Sequence, residues 1–266
     1  MTYDDPAYVS EQYRDASNLG ARTALHECFS TNRYPWQRWV FDGFDLPSEA
    51  RILEVGCGPG NLWADNLDHL PEGWNVTLTD ASPGMIREAH DRLAQDERFH
   101  FRQADARELP FKGNAFDAVV ANHVLYHVPD RGRALSEMAR VLGPTGVLYA
   151  STNGRDHNRE MGWMLRALFP ERPDDGYHQA GIGFSLENGE EQLSRWFGDV
   201  RLLRREDSLF VTGVGPLVDY LLSGTAAHAA GRDGDVPGLT RSLQRELAAS
   251  GGIRVTKDTG MFVARR

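Results

Sequence analysis

The segment Glu54-Val55-Gly56-Cys57-Gly58-Pro59-Gly60 begins in the last two residues of a short apolar run at residues 51–55, RILEV, and turns away from it at glycines. Glycines at the end of a strand let the backbone turn tightly, and they let a ligand lie against main chain where a Cβ would clash. Twenty residues past Gly60, a second apolar run ends at Asp80, where a carboxylate can accept both hydroxyls of a ribose. Strand, glycine turn, helix, strand and acid is the logic of an α/β unit that binds a nucleoside. The glycine spacing then separates ligand classes. A pyrophosphate-binding G-x-G-x-x-G needs its third glycine where this chain has Asn61; the chain reads G-x-G-x-G, with Glu54 two residues ahead. That disfavours a nicotinamide dinucleotide, although a glycine loop alone also serves as a plain tight turn.

A second chemical segment is Asn122-His123-Val124-Leu125-Tyr126-His127-Val128-Pro129-Asp130. It follows the fourth strand candidate, at the carboxyl edge where open α/β sheets bind ligands. Histidine exchanges protons near neutral pH, so His127 is a candidate general base, with a structural role also open. His123 and His127 stand at i, i+4, a spacing that suits a metal pair, but no third ligand lies nearby and no metal site is read. Aromatic and imidazole groups flank the core: Tyr13, His26, Tyr34 and Trp36 before it, His157, Trp163, His178 and Phe184 after it. They can line a cap over a planar or cationic molecule, or simply pack helices on the sheet. The charge run Arg204-Arg205-Glu206-Asp207 reads as a solvated strand end.

The elements that must position these groups alternate. After residues 51–55, strands are expected at Val76–Thr79, Phe99–Arg102, Phe116–Ala121 and Val147–Ser151. Met85, Ile86, Ala89 and Leu93 line one face of a helix after Ser82-Pro83-Gly84. Leu135, Met138, Ala139 and Leu142 line another, ending at Gly143-Pro144. This alternation predicts an α/β fold with a mainly parallel sheet and helices on both faces. Residues 7–46, a helix through Met161 and Met164, and residues 189–197 and 216–223 read as helical flanks. Val200–Arg204 and either Ile253–Thr256 or Met261–Ala264 read as late strands, and residues 224–238, rich in Gly, Ala and Asp, as a loop. The expected organisation is a helical cap segment at 1–46, a nucleoside-binding core at 47–155, a helical insertion at 156–198, and late strands with inserted helices at 199–266.

Composition narrows the partners. The 266 residues carry a net charge of −9, and an acidic chain without a Lys/Arg-rich block argues against tracking along a nucleic acid. Two cysteines, Cys28 and Cys57, are too few for a disulfide framework or a thiolate zinc site. No basic, apolar leader opens the sequence and no apolar run approaches membrane-spanning length. A soluble cytoplasmic protein with a small-molecule partner is expected; the oligomeric state is open.

Taken as a set, these segments resemble the class I S-adenosylmethionine (SAM)-dependent methyltransferases. The loop from Glu54 to Gly60 resembles their motif I, and Gln103-Ala104-Asp105-Ala106 with Leu109-Pro110-Phe111 resembles the adenine segment. Phe116–Asn122 resembles motif IV, and Ala134–Tyr149 the helix, turn and fifth strand. The resemblance runs over about residues 50–152 and is strongest to bacterial small-molecule enzymes related to ubiquinone/menaquinone C-methyltransferases. It implies a Rossmann-like fold with a seven-stranded sheet and a helical cap, SAM as cofactor, S-adenosylhomocysteine (SAH) as product, and small-molecule or secondary metabolism. It further implies that Gly56, Cys57 and Gly58 meet the methionine moiety, with Glu54 organising the loop. Asp80 would take the ribose, lined by Ala81 and Met85; Asp105 and Ala106 would address adenine; Asn122 would close the site near the sulfonium. His127 matches the catalytic histidine of plant O-methyltransferases, and Tyr13 the N-terminal tyrosine that closes over SAM in similar proteins. Three rivals stay open: breakage of a different sulfonium bond, a non-catalytic SAM-binding protein, and a nicotinamide oxidoreductase.

Overall fold

The computed structural model describes residues 17–168, 183–223 and 236–266. Two helices, α1 (Ser17–Phe29) and α2 (Trp36–Asp42), precede the first strand, β1 (Arg51–Val55). There follow α3 (Asn61–Ala64), β2 (Asn75–Asp80), α4 (Pro83–Leu93), β3 (Phe99–Gln103) and β4 (Phe116–Asn122). A 3₁₀ turn at Leu125–His127 leads to α5 (Arg131–Val141), β5 (Leu142–Asn153) and α6 (Arg159–Leu168). The last elements are α7 (Gly189–Leu193), β6 (Asp199–Val211), α8 (Val214–Leu222), α9 (Val236–Ser250) and β7 (Ile253–Arg265). Tyr13 and His178 lie outside the described residues.

The strands form one seven-stranded sheet in the order β3-β2-β1-β4-β5-β7-β6. The first five pair in parallel, and β7 is antiparallel to both neighbours. The central strands are apolar on both faces because helices cover both. Ile52, Val76, Leu78 and Val120 belong to one core, on the side of α4; Leu53, Val55, Val119 and Ala121 belong to the other, with α5. Each fully buried Leu, Ile or Val contributes about 1.5–3 kcal/mol. Local signals set the helix starts. The Ser82 hydroxyl accepts from the Met85 N–H at 3.3 Å, with Pro83 opening the helix, and the Asp130 carboxylate accepts from the Arg133 N–H at 3.0 Å.

The late elements differ from the sequence expectation. The two alternatives for the last strand are halves of one 13-residue strand, β7, and β6 is equally long. α5 ends at Val141, before Gly143-Pro144, which fall inside β5. Residues 236–238, expected in a loop, open α9. Strand β5 stops at Asn153, which pairs with Thr259, so Ile253–Asp258 pair with β6 alone. At about 3.4 Å per residue the β6–β7 hairpin overhangs the carboxyl edge of the parallel strands by roughly 20 Å. Leu209, Val211, Ile253 and Val255 on the overhang form a third apolar cluster with Leu25 of α1, Met161 of α6, Leu217 and Leu221 of α8, and Leu239 and Leu243 of α9. A helical layer is thereby fixed above the edge at which the glycine turn lies.

Candidate active site

The turn after β1 is held from below. The N–H groups of Gly56 and Cys57 both donate to the Thr79 carbonyl, at 2.7 and 2.9 Å, and the Thr79 hydroxyl donates to the Glu54 carbonyl at 2.8 Å. Gly56 and Gly58 take φ of +71° and +54°, the left-handed region that costs other residues about 1–2 kcal/mol. Their reasons differ. A Cβ on Gly56 would stand 2.4 Å from Val124 Cγ2, whereas one on Gly58 meets no protein atom within 4 Å. Gly56 is required by packing; Gly58 borders open space.

That space is a cavity of about 1210 Å³ along the carboxyl edge. Its lining includes all ten residues that the resemblance assigns to the cofactor: Glu54, Gly56, Cys57, Gly58, Asp80, Ala81, Met85, Asp105, Ala106 and Asn122. His127 lines it as well, and Tyr13 lies outside the described residues. The chain ends of β1, β2, β3 and β4 therefore bring these separate segments to one concavity.

Two carboxylates dominate its floor. Glu54 is buried, and its Oε2 accepts from the Trp63 indole N–H at 2.6 Å. Burial pushes its carboxyl up to about 8, against the opposing Trp63 bond and with the Asp80 charge adding to the rise. Asp80 accepts from the Gly58 N–H at 3.0 Å and the Ser82 N–H at 2.8 Å, and burial still lifts it above the usual carboxylate range. The Cys57 thiol is likewise pushed up by burial and by these two neighbouring acids. Asp105 behaves oppositely: Arg107 grips both its oxygens, Nη2–Oδ2 at 2.6 Å, and holds it below the usual range. At the end of β4 the Asn122 amide donates to Gln37 Oε1 at 3.3 Å and accepts from the Ser151 hydroxyl. Its neighbour His123 sits at φ +57°, its N–H donating to the Ser151 carbonyl and hydroxyl at 3.2 and 3.1 Å.

The overhang supplies the other wall, which sequence reasoning missed. Arg205 and Asp207 are buried in it, while the alternate residues Arg204 and Glu206 are exposed. The charge run is thus a solvated strand on one face only, because side chains alternate across a strand. Asp207 Oδ2 accepts from Arg205 Nη1 at 2.6 Å and from Lys257 Nζ at 2.8 Å. Oδ1 accepts from the N–H groups of Asn32 and Ser208 and from the Ser30 hydroxyl, at 3.1, 2.8 and 2.7 Å. These donors hold Asp207 at about 2 despite its burial. The Arg205 guanidinium lies 5.9 Å from the Trp36 ring, which is 4.9 Å from the His123 ring. Burial, with Lys257 nearby, lowers His123 to about 4 and His157 well below the usual imidazole range.

The two acids with raised proton affinity suit a ligand that brings positive charge, and the open side of Gly58 suits one that lies against main chain. SAM fits both: its amino-acid end carries an ammonium, its sulfur a positive charge, and its ribose two hydroxyl donors.

Comparison with known proteins agrees with this chemistry. Residues 53–150 match the methyltransferase-domain family. The ubiquinone/menaquinone biosynthesis C-methyltransferase UbiE of Vibrio cholerae serotype O1 is 35% identical over 116 residues, covering 42% of this chain and 45% of that enzyme. The chain thus spans less than half the length of that relative. Among solved structures, the [4+2]-cyclase SpnF superposes with a TM-score of 0.61 at 19% identity, over 100% of this chain and 97% of that one. A phosphoethanolamine N-methyltransferase 2 of Haemonchus contortus, in complex with SAM, gives 0.59 at 18% identity, over 100% and 60%. At these identities both show the fold alone. The match over 53–150, on the strands and turns that build the cavity floor, makes this part of the chain a class I SAM-dependent methyltransferase domain.

Proposed function

We propose that the protein transfers the methyl group of SAM to a small-molecule acceptor held in the same cavity. The observation that carries this reading is the pair of acids, buried Glu54 and half-buried Asp80, around a glycine turn open to a 1210 Å³ cavity. The name of the Vibrio relative, a C-methyltransferase of quinone biosynthesis, supports a small acceptor.

Bound SAM supplies an electrophilic methyl on a sulfonium. Gly56, Cys57 and Gly58 would receive its amino-acid end, with Glu54 meeting the ammonium. Asp80 has oxygen lone pairs left after its two backbone bonds, enough to accept from the ribose hydroxyls beside Ala81 and Met85. Asp105, kept ionised by Arg107, would accept from the adenine amino group, with Ala106 alongside. Asn122, fixed by Gln37 and Ser151, would close the site beside the reacting carbon. Tyr13 closing over the cofactor rests on resemblance. Placing the acceptor in line supplies on the order of 7–11 kcal/mol in favourable systems.

An O–H or N–H acceptor must also lose a proton. A general base works best with a proton affinity near the working pH, which disfavours His123 and His157, both lowered. His127, half-buried on the cavity wall, is the base in this reading. The test is incubation with isotopically labelled SAM and a metabolite extract. Labelled methyl in a product together with SAH is expected; methylthioadenosine as the by-product overturns methyl transfer. Unchanged turnover in His127→Ala removes the base assignment.

A further inference from the structure

The inner face of the β6–β7 overhang carries a charge imbalance that the cofactor site does not use. Arg205 pairs with Thr259 across the hairpin and Asp207 with Lys257, so all four side chains share one face. The side chains of Arg205, Asp207 and Lys257 are 3%, 0% and 7% exposed, and Arg205, Lys257 and Thr259 line the cavity. Two buried cations therefore face one buried anion.

That anion is fully engaged. Asp207 accepts from Arg205, Lys257, Ser30, Asn32 and Ser208. The cations are not: the Lys257 ammonium has three donors and the structure gives it one carboxylate. Arg205 Nε and Thr259 Oγ1 are buried without a hydrogen-bond partner. A buried cation lacking a full set of partners is unfavourable, so the wall is complementary to one more negative charge. Lys257 also bears on the proton affinity of His123 and His157, both on the cavity lining. This places its charge near the lining around His123, the residue after Asn122.

We infer that the acceptor is a monoanion of the carboxylate class, and that Lys257 receives its carboxylate, with Arg205 and Asp207 positioning the ammonium. The net charge of the wall, one positive, matches a carboxylate rather than a phosphate dianion. The inference rests on the methyltransferase reading, in which the cofactor takes the glycine-turn side of the cavity and leaves this wall to the acceptor.

The test uses the full chain saturated with SAH. Calorimetric titration compares benzoate, benzamide and phenyl phosphate, against wild type, Lys257→Met and Lys257→Arg. SAH is first titrated alone; failure there counts against the cofactor reading and is distinct from any failure of the acceptor titrations. Benzoate is expected to bind at least about tenfold tighter than benzamide. It is expected to weaken at least tenfold in Lys257→Met, with Lys257→Arg recovering most of the loss. Benzoate no tighter than benzamide, benzoate binding indifferent to Lys257→Met, or a preference for phenyl phosphate overturns the proposal. The wild-type comparison keeps it falsifiable if Lys257→Met folds poorly.

Discussion

Glu54 should couple cofactor binding to release of a proton. Its carboxyl stands at about 8 in the folded, ligand-free protein against an ordinary 4.5. At about 1.4 kcal/mol per pH unit this displacement corresponds to about 4–5 kcal/mol. Folded protein holds the proton more tightly than unfolded chain, so this group's contribution to stability is full below pH 4.5. It falls as pH rises and is lost by about pH 8. A bound ammonium, joined in SAM by the sulfonium, reverses the balance, favouring the carboxylate and lowering its proton affinity. Affinity for SAH or SAM then rises with pH, by at most about tenfold per unit, until about pH 8 is reached. The perturbation is Glu54→Gln, which keeps an oxygen to accept from the Trp63 indole. The assay is calorimetry between pH 6 and 9 in two buffers of different ionisation enthalpy, so that proton release is read directly. Wild type should gain about tenfold in affinity from pH 6 to 8, relative to the variant, and release a proton that the variant does not. The ligand's own amino group titrates identically against both proteins, so the difference isolates Glu54. Parallel pH profiles with equal proton release would refute the reasoning.

The two glycines of the turn should separate stability from binding. Gly58→Ala should cost about 1–2 kcal/mol of stability yet weaken SAH at least tenfold in calorimetry, because its Cβ meets only the cavity. Gly56→Ala should lower the melting temperature further, since its Cβ strikes Val124, with Val124→Ala recovering part of the loss. Asp80→Asn should weaken SAH by about tenfold or more while circular dichroism stays unchanged. Asp207→Asn should destabilise by about 3–5 kcal/mol, leaving two buried cations without their anion. In wild type the Asp207 contribution is present above pH 3.8 and lost as pH falls through about 2. It is worth about 2 kcal/mol, readable in melts at low pH.

The cofactor half was legible because its chemistry is local in sequence. Glu54 to Gly60 are consecutive, Asp80, Asp105 and Asn122 each lie at or just past a strand end, and parallel strands bring such ends to one edge. The acceptor wall is nonlocal: Asp207 and Lys257 meet only through a hairpin whose strands are separated by α8 and α9. Charge in a strand ordinarily means solvent, and only the partner explains why Asp207 is buried. The alternation of buried 205, 207, 209 and 211 is present in the sequence, yet its inner face begins with charged residues and carries no apolar signal there. Strand β7 reads as two alternatives because Lys257-Asp258-Thr259-Gly260 interrupts its apolar run. The charged residues that hide the strand are those that give it a function.

The hairpin overhang separates two kinds of constraint along the same strands. From Thr259 onward β7 is locked to β5, so changes there disturb the sheet that carries the cofactor turn. Before Thr259 it is held by β6, by the loop after β5 through Gly154, His157 and Asn158, and by the helical layer. Acceptor preference can therefore be rewritten by exchanging inner-face pairs such as Asp207 and Lys257 while the methyl-donor half keeps its geometry. The same arrangement makes acceptor chemistry a function of register. Sliding β7 by one residue would turn Thr256, Asp258 and Gly260 inward, and the anion receptor would become an acidic wall. The apolar pairs Leu209–Val255 and Val211–Ile253, far from any reacting atom, guard substrate identity by forbidding that slip.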